Sequence, residues 1–74
     1  GGAIAPPPAE VERVVVTQQV PSVAVEEGIV VGEPLPQAVT VYPVPEHRDY
    51  EYAVVNDRYV IVEPGTRRVV KVLQ

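Results

Sequence analysis

The chain has no cysteine, methionine, phenylalanine or tryptophan among its 74 residues. Without cysteine there is no disulfide, and with a single histidine there is no Cys/His cluster for a structural metal. The two usual supports of very small domains are therefore excluded. A chain of this length forms at most one thin-cored domain, because domains of about 60 residues bury only about 60% of the surface of the unfolded chain. Oligomerisation is the support that remains, and we expect a homodimer.

Basic residues are also scarce, with six against ten acidic residues and a formal net charge of −4. Nucleic-acid binding needs a basic field, and the dipeptide Arg67-Arg68 is too small to supply one. Apolar runs are only a few residues long, far shorter than a membrane-spanning helix requires. We therefore expect neither a nucleic-acid partner nor a transmembrane segment.

Valine is the residue that the chain has in excess, at 19 of 74 positions, whereas leucine occurs twice. Valine favours strands because its branched side chain is stiff and packs well on a pleated sheet. This predicts an all-β fold of five to seven short antiparallel strands from about Val11 to Leu73. The strands would form consecutive hairpins in a meander, with a small sandwich or an open barrel as variants. Residues 1–10, which contain three consecutive prolines, are predicted to be a disordered lead-in to a single β domain at 11–74.

Residues 50–73 give the clearest local prediction, because two turn signals separate three β-rich runs. A turn at Asn56-Asp57 places Val54 opposite Tyr59 and Tyr52 opposite Ile61. A three-residue loop at 64–66 would place Arg67 opposite Glu63 as a cross-strand ion pair.

The upstream half is less regular. For residues 9–19, four consecutive β-branched residues at 14–17 favour a strand, although Val11, Val14 and Val15 also share one face of a possible helix that would pack on the sheet. Glu26-Glu27-Gly28 predicts a tight hairpin or a bulged strand between runs at 23–25 and 29–31. Residues 38–42 predict a further strand at an edge of the sheet, since Pro43 follows.

Because side chains alternate along a strand, both faces of the hairpin around Asn56-Asp57 are predicted to be apolar. One face carries Tyr50, Tyr52, Val54, Tyr59 and Ile61, and the other carries Ala53, Val55, Val60 and Val62. Either the chain covers both faces itself or the tyrosine side meets a partner. Tyrosine and arginine often dominate interface energies, so the interface hypothesis assigns a contact surface for another chain to Tyr50, Tyr52 and Tyr59 with the flanking Arg58 and Arg67.

His47 is the only histidine, and Glu46 and Asp49 lie near it in the sequence. Metal sites need three or four converging ligands at fixed spacing, so we interpret this group as a solvated linker that follows Pro45. The chain also lacks a glycine-rich phosphate loop, a Ser/His/Asp set with a recognisable strained turn, and zinc-ligand spacing. We therefore expect no catalytic residue, no metal ligand and no cofactor, and we predict that the protein is not an enzyme.

Two spaced features carry a family resemblance: Val31-Gly32 with residues 35–45, and then residues 49–70 with the ending Val-Ile-Val-x-Pro-x-Thr-Arg-x-Val-Val. Together they resemble the alphaproteobacterial envelope domain known as domain of unknown function 1236. In that family the acidic turn residue is usually Asp, whereas this chain has Glu63. The resemblance implies a periplasmic or secreted protein and no activity. A chain that lacks Met and begins Gly1-Gly2 fits a processed protein or an excised fragment, with any signal peptide already removed.

The function predicted from these features is a non-catalytic structural or protein-interaction module of the bacterial cell envelope, whose partner is another protein or a second copy. The alternative is a periplasmic accessory protein that handles a small ligand or a metal. It draws on a loose likeness between the hairpin pair and the closing strands of periplasmic nickel and cobalt homeostasis proteins. Titration with nickel, cobalt or zinc distinguishes the two.

Overall fold

The computed structural model describes residues 6–73. It contains one helix, α1 (Ala9–Val15), and four strands: β1 (Tyr42–Val44), β2 (His47–Val55), β3 (Arg58–Val62) and β4 (Val69–Val72). The strands form one antiparallel sheet in the order β1-β2-β3-β4, which does not close into a barrel. The predicted small meander of hairpins is therefore confirmed. The predicted number of strands was too high, because the segment before β1 forms no regular strand.

The β2–β3 hairpin is the centre of the sheet, and its register is the predicted one, with Val54 opposite Tyr59 and Tyr52 opposite Ile61. Its turn residues Asn56 and Asp57 both have positive φ, at 51° and 65°. This is the tight turn whose twist matches that of the flanking strands, and Asn and Asp tolerate its left-handed backbone better than most residues.

The β3–β4 loop differs from the prediction. The amide of Arg67 donates to the carbonyl of Glu63 at 3.0 Å, and the amide of Glu63 donates to the carbonyl of Arg68 at 2.9 Å. Arg67 is therefore a fourth loop residue with φ of 61°, not a strand residue opposite Glu63, and the predicted ion pair does not form. Glu63, whose side chain is longer than the Asp usual in the family that the sequence resembles, still binds within the turn: Thr66 Oγ1 donates to Glu63 Oε1 at 3.1 Å.

Both outer strands are irregular in ways that protect the edges of the sheet. The pairing of β3 with β4 shifts register within β4. Ile61 pairs with Lys71 and Val62 pairs with Val69, which leaves Val70 as an extra residue. In β1, Pro43 lacks an amide hydrogen, and the register shifts beside it. Bulges and prolines are the usual means of preventing an edge strand from pairing with another chain. Simple edge-to-edge pairing is therefore disfavoured.

Residues 9–15 form a helix, so the prediction of a strand there was wrong. Val11 and Val15, which are four residues apart, are both 0% exposed. Their burial against the sheet overrides the weak helix propensity of valine, as tertiary packing commonly does for short amphipathic helices. The helix begins two residues inside the predicted lead-in. Residues 1–5 of that lead-in lie outside the described part of the chain.

The segment between α1 and β1 covers the opposite face of the sheet without forming the predicted hairpin at 26–28. Val23 makes a single parallel bridge with Val55, and Pro34 makes a single antiparallel bridge with Arg68. Prolines and Gly32 break the segment into turns, because proline cannot donate to a strand ladder. The predicted strand at 38–42 is displaced to Tyr42–Val44, and its edge position is confirmed.

The sheet therefore lies between two apolar clusters. The helix-side core contains Val11, Val15, Val44, Tyr52, Ile61, Val70 and Leu73. The loop-side core contains Leu35, Val39, Ala53, Val55, Val60, Val62 and Val69. The neighbours Val69 and Val70 lie in different cores, as the alternation of side chains along a strand requires. Each face of the sheet is covered by a segment of the same chain.

Arg67 binds the segment between α1 and β1, which we call the loop-side cover, to the sheet. One terminal nitrogen, Nη2, donates to the carbonyl of Pro36 at 2.7 Å and to that of Val39 at 2.6 Å. The same two residues close a turn, since the Val39 amide donates to the Pro36 carbonyl at 3.0 Å. The Nε atom of Arg67 is buried without a partner in the described residues. We infer that the two charge-assisted bonds hold Arg67 in its unfavourable left-handed backbone conformation.

Replacing Arg67 separates these two effects. Arg67→Ala should lower the free energy of unfolding by about 1.5 to 3 kcal/mol, because the bonds of a charged donor are lost. Arg67→Gly loses the same bonds but relieves the positive φ, and it should therefore be about 1 kcal/mol more stable than the alanine variant. Urea denaturation measures both, with the exposed neighbour Arg68→Ala as control. An alanine variant at 67 that is no less stable than the one at 68 would contradict this role for Arg67.

Candidate functional site

The helix-side face of the sheet gathers all four tyrosines of the chain, and we call Tyr42, Tyr50, Tyr52 and Tyr59 the tyrosine face. Strand pairing places Tyr42 opposite Tyr52, and their rings lie 5.5 Å apart at an angle of 33°. Such a tilted pair contributes about 0.5 to 1.5 kcal/mol beyond the area that it buries. The face thus has the residue type predicted for a contact surface.

Helix α1 and the residues after it already cover the tyrosine face. Val11 and Val15 pack into its core, and Tyr59 donates its hydroxyl hydrogen to the carbonyl of Gln18 at 2.6 Å. Glu12 Oε2 and Lys71 Nζ form an ion pair at 3.0 Å, but their side chains are 27% and 43% exposed. An ion pair this exposed adds little stability, so apolar packing and the Tyr59 bond hold the cover.

Tyr52 is the most enclosed member of the face, at 3% exposed. Burial raises the pKa of its hydroxyl above 10.0, and the neighbouring Tyr42 and Tyr59 raise it further. The folded chain therefore retains the Tyr52 proton to higher pH than the unfolded chain does. The stability linked to this proton is present below about pH 10 and is lost as the pH rises through the raised pKa.

The five residues of the predicted contact surface do not form one continuous patch. Tyr52 is buried, Tyr50 and Tyr59 are half-buried, and Arg58 is exposed beside the β2–β3 turn. Arg67 binds carbonyls in the loop-side cover, on the opposite face of the sheet. Tyr52 and Arg67 are therefore used for contacts within the chain, as expected if the chain covers both faces of the sheet itself. Binding of a partner at Tyr50, Tyr59 or Arg58 stays a prediction.

Truncation of Tyr52 tests its role in the core. Tyr52→Ala should lower the free energy of unfolding by about 3 to 5 kcal/mol, as large-to-small changes of buried aromatic residues do. A domain this small has about that much stability in reserve, so the variant should be largely unfolded by thermal melting. Tyr50→Ala, on the same face but half-buried, should melt nearer the parent. A stable Tyr52→Ala variant that associates more weakly would instead support the interface hypothesis.

A second cluster of polar contacts joins the loop-side segment to the β2–β3 turn. The side chain of Asn56 accepts from the Val25 amide at 3.0 Å and donates to the Val25 carbonyl at 3.2 Å. Ser22 Oγ accepts from the Asp57 amide at 2.8 Å. The sequence identified Asn56-Asp57 as a turn, but nothing in it indicated that the turn side chain also binds a segment 31 residues away.

A depression of about 350 Å³ lies beside this turn, lined by Gly28, Ile29, Val55, Asn56, Arg58, Val60 and Val72. Its volume is within the range of small-ligand pockets, which are about 300 to 1,000 Å³. However, Val55 and Val60 at its base are only 1% and 0% exposed. A ligand there would gain no apolar contact from Val55 or Val60, and its apolar contacts would come only from the half-buried Ile29 and Val72. This geometry does not favour a small-molecule site.

His47 is the first residue of β2 rather than part of a linker, and it is half-buried. Glu46 lies in the β1–β2 turn at φ of 65°, and Asp49 is exposed. Within residues 6–73, no three His, Cys, Asp or Glu side chains are grouped so that they could hold a metal ion. Over the same range, the helical content offers no segment long and apolar enough to cross a membrane.

Two exposed valines form an apolar corner on the loop side. Val30 and Val31 are 51% and 54% exposed and begin a four-residue turn that is closed by a 3.1 Å bond from the Glu33 amide to the Val30 carbonyl. Gly32 supplies the positive φ, 94°, that the third position of a type II turn requires. Bonds of 2.8 and 2.9 Å join Gly32 and Glu33 to Val69. This valine corner is therefore held rigidly against β4.

These contacts define a small antiparallel meander domain whose polar side chains mainly bind its own backbone. The sequence profile of the family described as domain of unknown function (DUF1236) matches residues 14–74. The chain belongs to that family, so the resemblance predicted from its motifs is confirmed at the level of the family. No curated protein and no solved structure matched the chain significantly.

Proposed function

We propose that this chain is a non-catalytic structural or protein-interaction module of the bacterial cell envelope, and that it binds a protein partner through the valine corner. The observation that carries the proposal is the pair of half-exposed valines on a turn fixed to β4. Single exposed apolar residues are ordinary, but two adjacent ones on a rigid turn form a preorganised contact. Such a contact loses little conformational entropy when a partner binds.

The surroundings of the corner indicate the kind of partner. Glu33 follows the corner, Glu26 and Glu27 precede it on the same segment, and all three are exposed. An apolar centre with an acidic rim is complementary to a partner with an apolar pocket and basic residues around it. Pairing between two valine corners is disfavoured, since like charges would face each other across a two-fold axis. Self-association would therefore use another surface.

The non-catalytic part of the proposal draws on how the polar side chains are used. The side chains of Tyr59, Asn56 and Arg67 each form hydrogen bonds with the backbone of the chain itself. The alternative of a small-ligand or metal-handling protein has less support, because the depression beside Arg58 has a covered floor. The proposed periplasmic or secreted location is supported by the motifs at residues 31–70 that resemble an envelope domain.

Substitution at the corner tests the proposal. Val31→Asp and Val30→Asp should melt close to the parent, because both side chains are already about half exposed. Cross-linking in the native periplasm followed by mass spectrometry should show at least a tenfold loss of partner, which corresponds to about 1.4 kcal/mol. Val16→Asp is the matched control, since Val16 is 47% exposed but lies at the end of α1.

The proposal is contradicted if the corner variants keep the partners of the parent, or if Val16→Asp loses them equally. In the first case the exposed valines contribute nothing to binding. In the second, the loss reflects added negative charge rather than the position of the corner.

A further inference from the structure

The tyrosine face holds the most readily oxidised side chains of the protein. The chain has no cysteine and no methionine, the two residue types that oxidants modify most easily, and it has no tryptophan. All four tyrosines pack in or against the helix-side core. A one-electron oxidant that meets this chain therefore takes its electron from the tyrosine face, and the geometry of that face decides the product.

Two of the four rings are in contact, and they differ in how they can be reached. Tyr42 lies in the edge strand β1 and is half-buried, so part of its ring is open to an oxidant. Tyr52 is 3% exposed and can be oxidised only through a neighbouring ring. Strand pairing places it opposite Tyr42, with the ring centroids 5.5 Å apart, and within residues 6–73 this is the one pair of aromatic rings in contact.

The other two tyrosines are less suited to coupling with Tyr52. Tyr59 is half-buried, but its hydroxyl donates to the carbonyl of Gln18 at 2.6 Å. A carbonyl oxygen cannot take the proton that a phenol must lose when it is oxidised. Tyr50 is two residues from Tyr52 on the same face of β2, and adjacent same-face residues of one strand lie farther apart than a cross-strand pair.

We propose that Tyr42 and Tyr52 form an oxidative cross-linking site, at which a haem peroxidase with hydrogen peroxide joins the two rings as dityrosine within one chain. The oxidant removes an electron and a proton from Tyr42, whose radical takes an electron and a proton from Tyr52. A second oxidation of Tyr42 gives two phenoxyl radicals, and hydrogen peroxide is reduced to two molecules of water. The radicals couple through a ring carbon ortho to each hydroxyl, and the two ring hydrogens then move to the oxygens, which restores both phenols.

The new bond would join the edge strand β1 to β2. Strand β1 has three residues, and Pro43 and the register shift beside it limit its backbone pairing. A covalent link between residues 42 and 52 closes the chain between them into a loop. Such a link stabilises the folded state mainly by restricting the unfolded chain, as a disulfide does, and this chain has no disulfide. The cross-linked protein should therefore melt at a higher temperature than the parent. The inference does not depend on the valine corner, which lies on the loop side.

Digestion with trypsin gives a direct test. Trypsin cuts after Arg48 and Arg58, and so it places Tyr42, Tyr52 and Tyr59 on three different peptides. The full chain is treated with a haem peroxidase and hydrogen peroxide, and the monomer is recovered by denaturing electrophoresis before digestion. Mass spectrometry should find the peptides of Tyr42 and Tyr52 joined with the loss of two hydrogen atoms, together with dityrosine fluorescence. The yield should not depend on protein concentration.

Three variants identify the coupled rings. Tyr42→Phe and Tyr52→Phe keep an aromatic ring in place but cannot form a phenoxyl radical there, so each should lose the cross-linked monomer. Tyr50→Phe, on the same strand and face as Tyr52, is the matched control and should keep the yield of the parent. The proposal is overturned if Tyr52→Phe cross-links like the parent, or if Tyr50→Phe loses the product. It is also overturned if the tyrosines couple mainly between chains or form no dityrosine.

Discussion

The whole structure depends on a central hairpin that is apolar on both faces. Val60 and Ile61 are neighbours in β3, point to opposite sides of the sheet, and are both 0% exposed. An open four-stranded sheet cannot bury both faces by itself, so each face needs a cover. The chain supplies one cover from α1 and the other from the irregular segment before β1. With so few residues, neither cover has a second layer behind it.

The covers are kept in register by polar contacts at the margins of the two cores. None of the buried residues in the described part of the chain is polar or charged. Instead, Tyr59, Asn56 and Arg67 reach from the sheet and its loops to backbone groups of the covering segments. Each such bond contributes only about 0.5 to 1.5 kcal/mol net, or somewhat more for the charged guanidinium. Their larger effect is to select one arrangement for segments that have no strand ladder of their own.

The sequence was sufficient for the parts of the fold that are determined locally. Alternation and the Asn56-Asp57 turn predict the hairpin register and the membership of both faces, because side chains alternate with a period of two. The same reasoning selected the tyrosines as the residues to examine. It did not predict what covers them, since a run of valines at 14–16 has strand propensity and only burial of Val11 and Val15 makes the helix favourable. Arg67 was misplaced for a related reason: its partners, Pro36 and Val39, lie about thirty residues earlier in the chain.

The central claim is that the irregular segment between α1 and β1 is an integral part of the fold, and amide hydrogen exchange tests it most directly. The amides of Val23, Gly32 and Leu35 donate to Val54, Val69 and Arg67 at 2.9, 2.8 and 3.0 Å. If this segment and the hairpin form one cooperative unit, these three amides should be protected to the same free energy as the amides of β2 and β3. Exchange of the three at the rate of open loops, with the hairpin still protected, would contradict the account.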